Sequence, residues 1–330
     1  MDRATENASR HPAPPRIGPP PAGPFSLDDE RAYAHWRRRK LAAHPREPGE
    51  MIVPVADLAA PSPAERARIV DLCRRANMAI YDTGDTSGRA GPALERALRA
   101  FAAAFGMTEL EDHRSMDAEK VVAIEVVDGD QRPRSGFIPY TTRRILWHTD
   151  GYYKFGWPGA PVIRSMVLHC VRQGREGGEN ELLDPEIAYI RLRDENPEYI
   201  RALMAPDAMT IPEFVEEDGR VRPASRGPVF WVDEDTGALQ MRYTERSRNI
   251  EWKDDPPTLE AVAFLRHLLR AGNEPFLFRV RMRPGQGLVC NNVLHTRTAF
   301  VDREEPGRGR LMYRARYSNR IAETGLREAA

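Results

Sequence analysis

The sequence predicts a mainly β protein, an antiparallel β-barrel or sandwich wrapped by helices, and three observations support this fold class. Short β-branched and apolar runs, bounded by turn residues, recur through the middle and the end of the chain. Segments with helical spacing interrupt these runs. The sequence has no internal repeat, no phosphate-binding glycine loop and no GxSxG motif. A barrel of this kind carries its chemistry inside the barrel mouth.

The first half of the chain contains two predicted helices with a strand between them. Ser62 and Pro63 form a helix start signal, and apolar residues recur at helical spacing from Ala64 to Cys73. A short strand is predicted at 78–81 and a second helix at 93–105.

Further helices are predicted in the second half of the chain, at 185–204 and at 258–271. The helix at 258–271 begins after Pro256-Pro257 and ends at Gly272.

The predicted strands lie mostly in the second half of the chain. Apolar and basic residues alternate at 276–282, which is typical of a strand with one solvent-facing side. A Pro-Gly-Gln-Gly turn follows at 284–287. The other predicted strands are at 121–127, 163–171, 288–291 and 310–317.

Composition excludes several classes of protein. A chain of 330 residues is long enough for one catalytic domain with a substantial core. Lys plus Arg and Asp plus Glu both count 49, so no basic excess points to a nucleic-acid partner. Cys73, Cys170 and Cys290 lie far apart, as expected of reduced thiols. No apolar run resembles a signal peptide or a membrane span, so we expect a soluble, cytoplasmic protein without a membrane partner; a homo-oligomer is possible.

The domain organisation is predicted to be simple. Residues 1–26 form an expected flexible arm, because 1–24 carries seven of the 28 prolines and almost no large apolar side chain. Residues 27–330 form one catalytic domain with helical insertions at about 185–272. The basic run from Trp36 to Lys40 is interpreted as a solvated helix face; the alternative is a contact site for an acidic partner.

The segment Leu-Trp-His-Thr-Asp at 146–150 is a candidate metal motif. His148 and Asp150 are two residues apart, so on a strand both side chains point to the same face. An imidazole with a carboxylate suits a divalent metal such as Fe(II). With eight histidines and 49 acidic residues in 330 positions, about one such motif is expected by chance, so the motif alone is a weak signal.

A two-His-one-carboxylate site needs a third ligand from a distant strand. His295 follows a predicted strand and is flanked by polar residues, which makes it the best candidate. The other histidines fit other roles: His11, His35 and His44 lie in or near the arm, His113 in a polar loop, His169 in an apolar strand as a core residue, and His267 in a helix.

Arg310 and Arg314 follow the candidate third ligand His295 and are candidates for binding an anion. Arg310 and Arg314 lie 15 and 19 residues after His295, and their spacing of four places both on one face of a strand. A guanidinium grips a carboxylate with two hydrogen bonds and stays charged. Each arginine alone is better explained as a surface residue, whereas the metal triad favours an anion-binding role.

Together these segments resemble the TauD/TfdA family of Fe(II)/2-oxoglutarate dioxygenases over roughly residues 76–318. Trp-His-Thr-Asp-Gly at 147–151 is similar to the first metal motif, and 292–300 is similar to the second. The segment 310–314 resembles the closing strand, whose first arginine binds the distal carboxylate of 2-oxoglutarate. The resemblance implies a double-stranded β-helix, or jelly roll, and implies Fe(II), 2-oxoglutarate and O2 as cofactor and co-substrates.

The resemblance also implies roles for two further residues. Gly-Gly-Glu-Asn at 177–180 matches a family segment in which a threonine helps to hold 2-oxoglutarate. Asn180 replaces that threonine and can donate a hydrogen bond through its amide. In a sulfonate-oxidising member of the family the second arginine of the closing strand grips the sulfonate, so Arg314 is expected at an anionic group of the substrate.

The reaction implied by the resemblance is hydroxylation with decarboxylation of 2-oxoglutarate to succinate and CO2. Asp150 disfavours halogenation, because halogenating relatives lack this carboxylate. Desaturation, cyclisation and C–S or C–N cleavage stay open, since they depend on substrate geometry. A zinc hydrolase using the same ligands and a non-catalytic jelly-roll binding protein are the rival interpretations.

The substrate is predicted to be a small polar or amino-acid-like molecule with an anionic group. The aromatic cluster around the first motif is either a cation-binding cage or barrel packing, and packing is the favoured interpretation. That cluster comprises Tyr140, Trp147, Tyr152, Tyr153, Phe155 and Trp157. The predicted substrate-binding residues are Arg314, Tyr140, Tyr152, Tyr153 and Asn292, with Asn291 as an alternative to Asn292.

Overall fold

Two β-sheets lie at the centre of the computed structural model, which describes residues 18–84, 90–111, 121–126, 138–157, 161–215, 219, 221–246, 248, 250–305 and 307–327. The larger sheet has six strands. In spatial order they are β1 (Ile52–Pro54), β2 (Met78–Asp82), β16 (Gln286–Cys290), β5 (Ser165–Arg172), β19 (Leu311–Tyr317) and β3 (Val122–Ile124). All neighbours pair antiparallel except β1 with β2.

The smaller sheet has four antiparallel strands. In spatial order they are β15 (Phe278–Val280), β7 (Asn180–Leu183), β17 (Leu294–Arg297) and β4 (Ile145–His148). Leu182 and Phe278 of this sheet share a core with Met166 and Leu288 of the larger sheet, so the two sheets face each other. This arrangement is a jelly roll, as predicted.

Helices cover the outer faces of both sheets. The helices α2 (Pro63–Ala76) and α3 (Pro92–Ala104) share a core with the larger sheet, including Leu72, Phe101 and Val289. The outer face of the smaller sheet contributes Trp147 and Leu294 to a second core. That core is completed by α1 (Glu30–Ala43), α4 (Pro185–Glu195), α5 (Pro197–Leu203) and α6 (Pro256–Ala271). No helix among the described residues is long and apolar enough to cross a membrane.

The predicted helix after Pro63 is confirmed, and its ends have clear causes. Ser62 accepts a hydrogen bond from the Glu65 amide while the Glu65 side chain accepts from the Ser62 amide, which forms a capping box. Asn77 ends the helix in the left-handed region with φ of 57°. The chain then enters β2, so the helix end sets the direction of a central strand.

The single helix predicted at 185–204 is wrong, because the structure has two helices there. Pro197 lacks an N–H and disfavours helical geometry in the residue before it. Asn196 is accordingly extended, and its side chain accepts a hydrogen bond from the Glu198 amide to cap the second helix.

The segment 185–272, predicted as a helical insertion, also contains seven short strands within its described residues. Each strand has only two or three residues, too few for alternation to be recognised in the sequence. They are β8 (Met209–Ile211), β9 (Phe214–Val215), β10 (Val221–Arg222), β11 (Ser225–Gly227), β12 (Phe230–Val232), β13 (Leu239–Met241) and β14 (Glu251–Trp252). The remaining pair is β6 (Glu176–Gly177) with β18 (Phe300–Val301).

The packed part of the chain begins earlier than the predicted arm boundary at residue 26. Phe25 is buried and makes edge-to-face contacts with Trp36 and Tyr189 at 5.0 and 5.4 Å between ring centroids. Phe25 is thus part of the helical core. The many prolines before it made the whole segment look like a flexible arm in the sequence. Residues 1–17 of the predicted arm lie outside the described residues.

The basic run on α1 is not a fully solvated face. Lys40 is buried, with Nζ 2.6 Å from Asp184 and 2.5 Å from Glu186 at the start of α4. His44, which ends α1, is also buried, and its Nε2 is 3.6 Å from Asp184. Arg39 is exposed as predicted. Lys40 therefore joins α1 to the start of α4.

The three cysteines are buried and unpaired, which confirms the prediction of free thiols. His169 is a core residue, as predicted, and its Nδ1 is 3.0 Å from the Tyr81 hydroxyl. Burial lowers the pKa of His169 to about 4, so this imidazole is neutral in the folded protein.

Candidate metal centre

The three predicted metal ligands come together beside two adjacent strands of the smaller sheet. His295 on β17 lies opposite His148 on β4 in the antiparallel register. Their ring centroids are 4.2 Å apart, and Asp150 follows β4 by two residues. One ligand atom from each of the three side chains lies within 4.8 Å of the other two. The spacing of two in the sequence and the pairing of the strands together produce this cluster.

Both histidines are oriented by the backbone two residues before them. Nδ1 of His148 is 2.9 Å from the Leu146 carbonyl, and Nδ1 of His295 is 2.9 Å from the Val293 carbonyl. Because a carbonyl only accepts, each Nδ1 carries the proton and each Nε2 keeps its lone pair. Burial and the neighbouring His295 lower the pKa of His148 to about 3, and burial also lowers that of His295. Both rings are therefore neutral, as a metal ligand must be.

The two carboxylate oxygens of Asp150 differ, because one contacts two arginines and the other has no hydrogen-bond partner in the described structure. Its Oδ1 lies 3.4 Å from Nη1 of Arg314 and 3.4 Å from Nη1 of Arg316. Its Oδ2 is buried without a hydrogen-bond partner in the described structure. Burial alone would raise the pKa of Asp150, but the two guanidinium groups outweigh burial and lower it. An unpartnered carboxylate oxygen beside two imidazole nitrogens fits a divalent cation.

Asn292 fixes the backbone of Asp150. Its Oδ1 accepts from the Asp150 amide at 2.8 Å, and its Nδ2 donates to the carbonyls of Asp150 and Ile163 at 3.0 and 2.8 Å. Asn292 has φ of 49°, and this left-handed turn between β16 and β17 points the amide at the Asp150 loop. The structure therefore places Asn292, which was predicted to bind substrate, in a backbone-holding position.

Gly151 explains why the metal motif continues with glycine. Its φ is 73°, and a Cβ atom there would lie 2.6 Å from Cγ1 of Ile163. Any other residue would meet both backbone strain and a clash. The chain can therefore turn sharply after Asp150 only with glycine at this position.

A cavity opens beside the histidines between the two sheets. Arg310 and Arg314 both line it, in agreement with the shared face predicted from their spacing. Its other lining residues are His148, His295, Asn180, Thr296, Arg297, Ile124, Pro139, Ile145, Met166, Leu168 and Met312. The cavity thus has two histidines, three arginines and a largely apolar wall.

Arg310 is a buried cation without an anionic partner in the described part of the chain. It is 6% exposed, forms no salt bridge there, and lies over the Phe300 ring at 5.2 Å. Burial lowers the pKa of Arg310. A buried charge is costly unless it is paired, so the cavity is built for an anion at this end. A dicarboxylate bound to a metal at the histidines fits this arrangement.

Asn180 lines the same cavity as His148, His295 and Arg310. Its Nδ2 donates to the Thr296 carbonyl at 2.9 Å. This bond orients the amide and leaves its second N–H and its Oδ1 for a bound molecule. The position agrees with a role beside Arg310.

The three tyrosines predicted to bind substrate do not line the described cavity wall. Tyr140, in the 3-10 helix Ile138–Tyr140, is buried in the core between the sheets. Tyr152 and Tyr153 are half-buried and meet edge to face at 5.4 Å. Trp147 is fully buried, and Phe155 packs on Trp231 at 5.2 Å. Each of these described aromatics packs against the protein core, with Tyr140 and Trp147 in different cores, in line with the packing interpretation.

Three functional residues were not predicted from the sequence. Arg316 follows Arg314 by two residues on the same strand face, so the period of a strand was a usable signal. Arg297 likewise follows His295 by two residues. Glu111, which pairs with Arg316, lies more than 200 residues away in sequence and gave no signal.

Arg297 fastens the loop before β4. It donates to the carbonyls of Pro139, Thr141 and Arg143 at 3.1, 2.6 and 2.5 Å. Its guanidinium also lies 4.8 Å from the centre of the Phe300 ring. The residue therefore joins the strand of His295 to the segment that leads into His148.

A jelly roll whose two sheets enclose a two-His-one-carboxylate triad and a buried arginine defines the class of the non-haem iron oxygenases. The model of the family described as "Taurine catabolism dioxygenase TauD, TfdA family" matches residues 91–316. The chain belongs to this family of dioxygenases.

A curated relative is the uridine-5'-phosphate dioxygenase of Amycolatopsis sp, which is 32% identical over 188 residues. The match covers 54% of this chain, and the chain spans 62% of that relative's length.

Solved structures with the same fold include an asparagine oxygenase in complex with Fe(II), 3-hydroxyasparagine and succinate. That chain has a TM-score of 0.54 and 17% identity, with 77% of this chain and 79% of that chain covered. The non-heme iron oxygenase OrfP in complex with (3S)-hydroxy-L-Arg has a TM-score of 0.53 and 19% identity, covering 78% and 83%. A taurine dioxygenase from Burkholderia xenovorans has a TM-score of 0.51 and 18% identity, covering 83% and 89%. These similarities show the fold.

Proposed function

We propose that the protein is an Fe(II)- and 2-oxoglutarate-dependent oxygenase that hydroxylates a small polar molecule carrying an anionic group. One observation supports this proposal above the others. The two neutral histidines and Asp150 offer ligand atoms within 4.8 Å of one another, and Oδ2 of Asp150 has no partner in the described structure. The histidines line a cavity whose wall also contains Arg310. A metal and a dicarboxylate together satisfy all of these groups.

Each residue has a defined task in this proposal. His148, Asp150 and His295 hold Fe(II) on one face and leave positions open for ligands. Arg310 pairs with the distal carboxylate of 2-oxoglutarate, and Asn180 helps to fix it. When bound, iron with 2-oxoglutarate and O2 supplies an oxidant for an unactivated C–H bond, and 2-oxoglutarate becomes succinate and CO2.

Arg314 is the proposed contact for the anionic group of the substrate. It lines the cavity, its Nε is buried without a partner in the described structure, and its contact with Asp150 is long at 3.4 Å. A guanidinium in this state pairs equally well with a carboxylate, a sulfonate or a phosphate. The names of the relatives suggest two groups of candidates, amino acids and nucleoside 5'-phosphates.

The outcome after hydrogen removal is proposed to be hydroxylation, with desaturation, cyclisation or C–S and C–N cleavage at the same site as the alternative. A zinc hydrolase is a weaker candidate. Such a site requires an acid or base beside the metal. No aspartate or glutamate is among the described residues that line the cavity.

The test is succinate formation from 2-oxoglutarate under air with added Fe(II). We expect slow turnover without substrate and a visible absorption band from anaerobic protein with Fe(II) and 2-oxoglutarate. A thermal-shift screen with Mn(II) and 2-oxoglutarate, using amino acids and nucleoside 5'-monophosphates, then separates the two substrate groups. Absence of both succinate and the absorption band would contradict the proposal.

A further inference from the structure

A chain of alternating charges leads away from the metal centre. Oε2 of Glu111 forms an ion pair with Nε of Arg316 at 2.5 Å, and Oε1 of Glu111 accepts a hydrogen bond from Nζ of Lys154. The backbone holds the pair in register, because the Glu111 amide donates to the Arg316 carbonyl at 2.8 Å. At its other end the Arg316 guanidinium reaches Oδ1 of Asp150. Arg316 therefore lies between two carboxylates.

The partners of Arg316 distinguish it from its neighbour Arg314. Arg316 is buried and does not line the cavity, and its charge is matched by Glu111. Arg314 lines the cavity and has Asp150 as its only salt-bridge partner among the described residues. The two guanidinium groups thus touch the same carboxylate oxygen from different electrostatic environments.

We propose that Glu111 and Arg316 are positioning residues for the metal ligand Asp150, an inference that rests on the proposed function. Arg316 holds Oδ1 so that Oδ2 points at the metal. Glu111 neutralises Arg316, so that the guanidinium orients the carboxylate without competing with the metal for it. The same pairing keeps Arg316 away from anionic ligands and leaves Arg314 as the cation that meets the substrate.

The proposal predicts opposite effects on metal binding when Glu111 and when Lys154 loses its charge. If Glu111 loses its charge, Arg316 has Asp150 as its only anion in the described surroundings and draws that carboxylate from the metal. If Lys154 loses its charge, Glu111 is left entirely to Arg316, which becomes better neutralised. Metal binding should therefore weaken in the first case and stay equal or tighten in the second.

The experiment measures Mn(II) affinity of the full-length protein by isothermal titration calorimetry. We expect Glu111→Gln to raise the Kd about 10- to 100-fold, the range found when a partner of a metal ligand is removed. The matched control is Glu274→Gln, which changes another buried glutamate, paired with Arg191 at 2.8 and 3.0 Å beside α4. This control should stay within twofold of the wild type.

Two further variants test whether Glu111 acts through Arg316. Lys154→Met should leave the Mn(II) affinity unchanged or tighter, whereas a merely structural loop contact would make it weaken together with Glu111→Gln. In an Arg316→Met background, Glu111→Gln should have no additional effect. If Glu111→Gln does not fold, Arg316→Lys replaces it, because a lysine cannot reach both carboxylates and is expected to weaken Mn(II) binding by a similar factor.

The proposal is overturned if Glu111→Gln or its replacement binds Mn(II) within twofold of the wild type, if Lys154→Met weakens binding equally, or if the Glu111→Gln effect persists without Arg316. Failure of the proposed function looks different. In that case the wild-type protein itself gives neither succinate nor the Fe(II)/2-oxoglutarate band, whatever the variants do to Mn(II) binding.

Discussion

His295 lies opposite His148 across one antiparallel strand pair, and the centroids of the two rings are 4.2 Å apart. Each ring is turned toward the site by a carbonyl two residues earlier in its own strand. The two nitrogen ligands of the candidate metal centre are therefore positioned by the pairing of β4 with β17 and not by a loop.

Removal of His295 should abolish tight metal binding. His295→Ala deletes one of two nitrogen ligands, and we expect Mn(II) affinity to fall at least about 100-fold with loss of succinate formation. The control is His267→Ala, since His267 is exposed on α6. Titration calorimetry checks both variants, and retained binding in His295→Ala would mean that the third ligand is another residue.

Arg310 and Arg314 should separate the co-substrate from the substrate. Arg310→Ala leaves the distal carboxylate of 2-oxoglutarate without its partner, so the KM for 2-oxoglutarate should rise roughly 30-fold to several thousand-fold. Arg314→Ala should leave this KM much less affected and should reduce turnover of the substrate. Steady-state kinetics of the two variants decides between them, and the reverse pattern would show that the two arginines have exchanged roles.

Asn292 should be required for stability and for the geometry of the metal site. Asn292→Ala removes three hydrogen bonds to buried backbone groups and keeps a Cβ at φ of 49°, so unfolding should cost about 2 to 4 kcal/mol less. Asn292→Gly relieves the backbone strain but not the lost bonds. Urea unfolding should rank the wild type above Asn292→Gly and Asn292→Gly above Asn292→Ala; equal stability of all three would show that these bonds contribute nothing.

The buried Lys40 and Asp184 pair should make stability depend on pH in the acid range. Burial alone would raise the pKa of Asp184, but Lys40 and His44 outweigh it and lower the pKa below its usual value. A depressed carboxyl pKa stabilises the folded state above the unfolded-state pKa, and this stabilisation is lost as the pH falls from about 5 towards 3. Asp184→Asn should therefore lose less stability than the wild type over this interval, as measured by urea unfolding at each pH. Parallel pH profiles would contradict the linkage.

The jelly roll and the grouping of His148, Asp150 and His295 could be predicted from the sequence, because the strand patterns are local and the motifs occur in the order of a known family. His148 and Asp150 share a strand face by spacing, and the order of their motif, His295 and Arg310 matches a family. Pro197 in the sequence also signals the break between the two helices. We predicted one helix there because the apolar residues keep helical spacing on both sides of the proline.

The features that were not predicted depend on contacts between distant residues or on local backbone geometry. The Asn292 amide could hydrogen-bond either a substrate or the protein backbone. Its left-handed backbone conformation directs the amide to the backbone of Asp150, and the sequence does not show this conformation. Glu111 reaches Arg316 through the fold alone. Phe25 belongs to the helical core although it follows a proline-rich stretch. The spacing of nearby residues in the sequence predicts none of these contacts.

The two candidate histidine ligands lie in the smaller sheet with Asp150 directly after β4, and Arg310 directly precedes β19 of the larger sheet. A molecule that binds the metal and Arg310 therefore spans the interface between the two halves of the jelly roll. Neither half alone offers both ends of this grip, so in the proposed function the retention of 2-oxoglutarate, and with it the oxidising chemistry, would require both sheets to be in place.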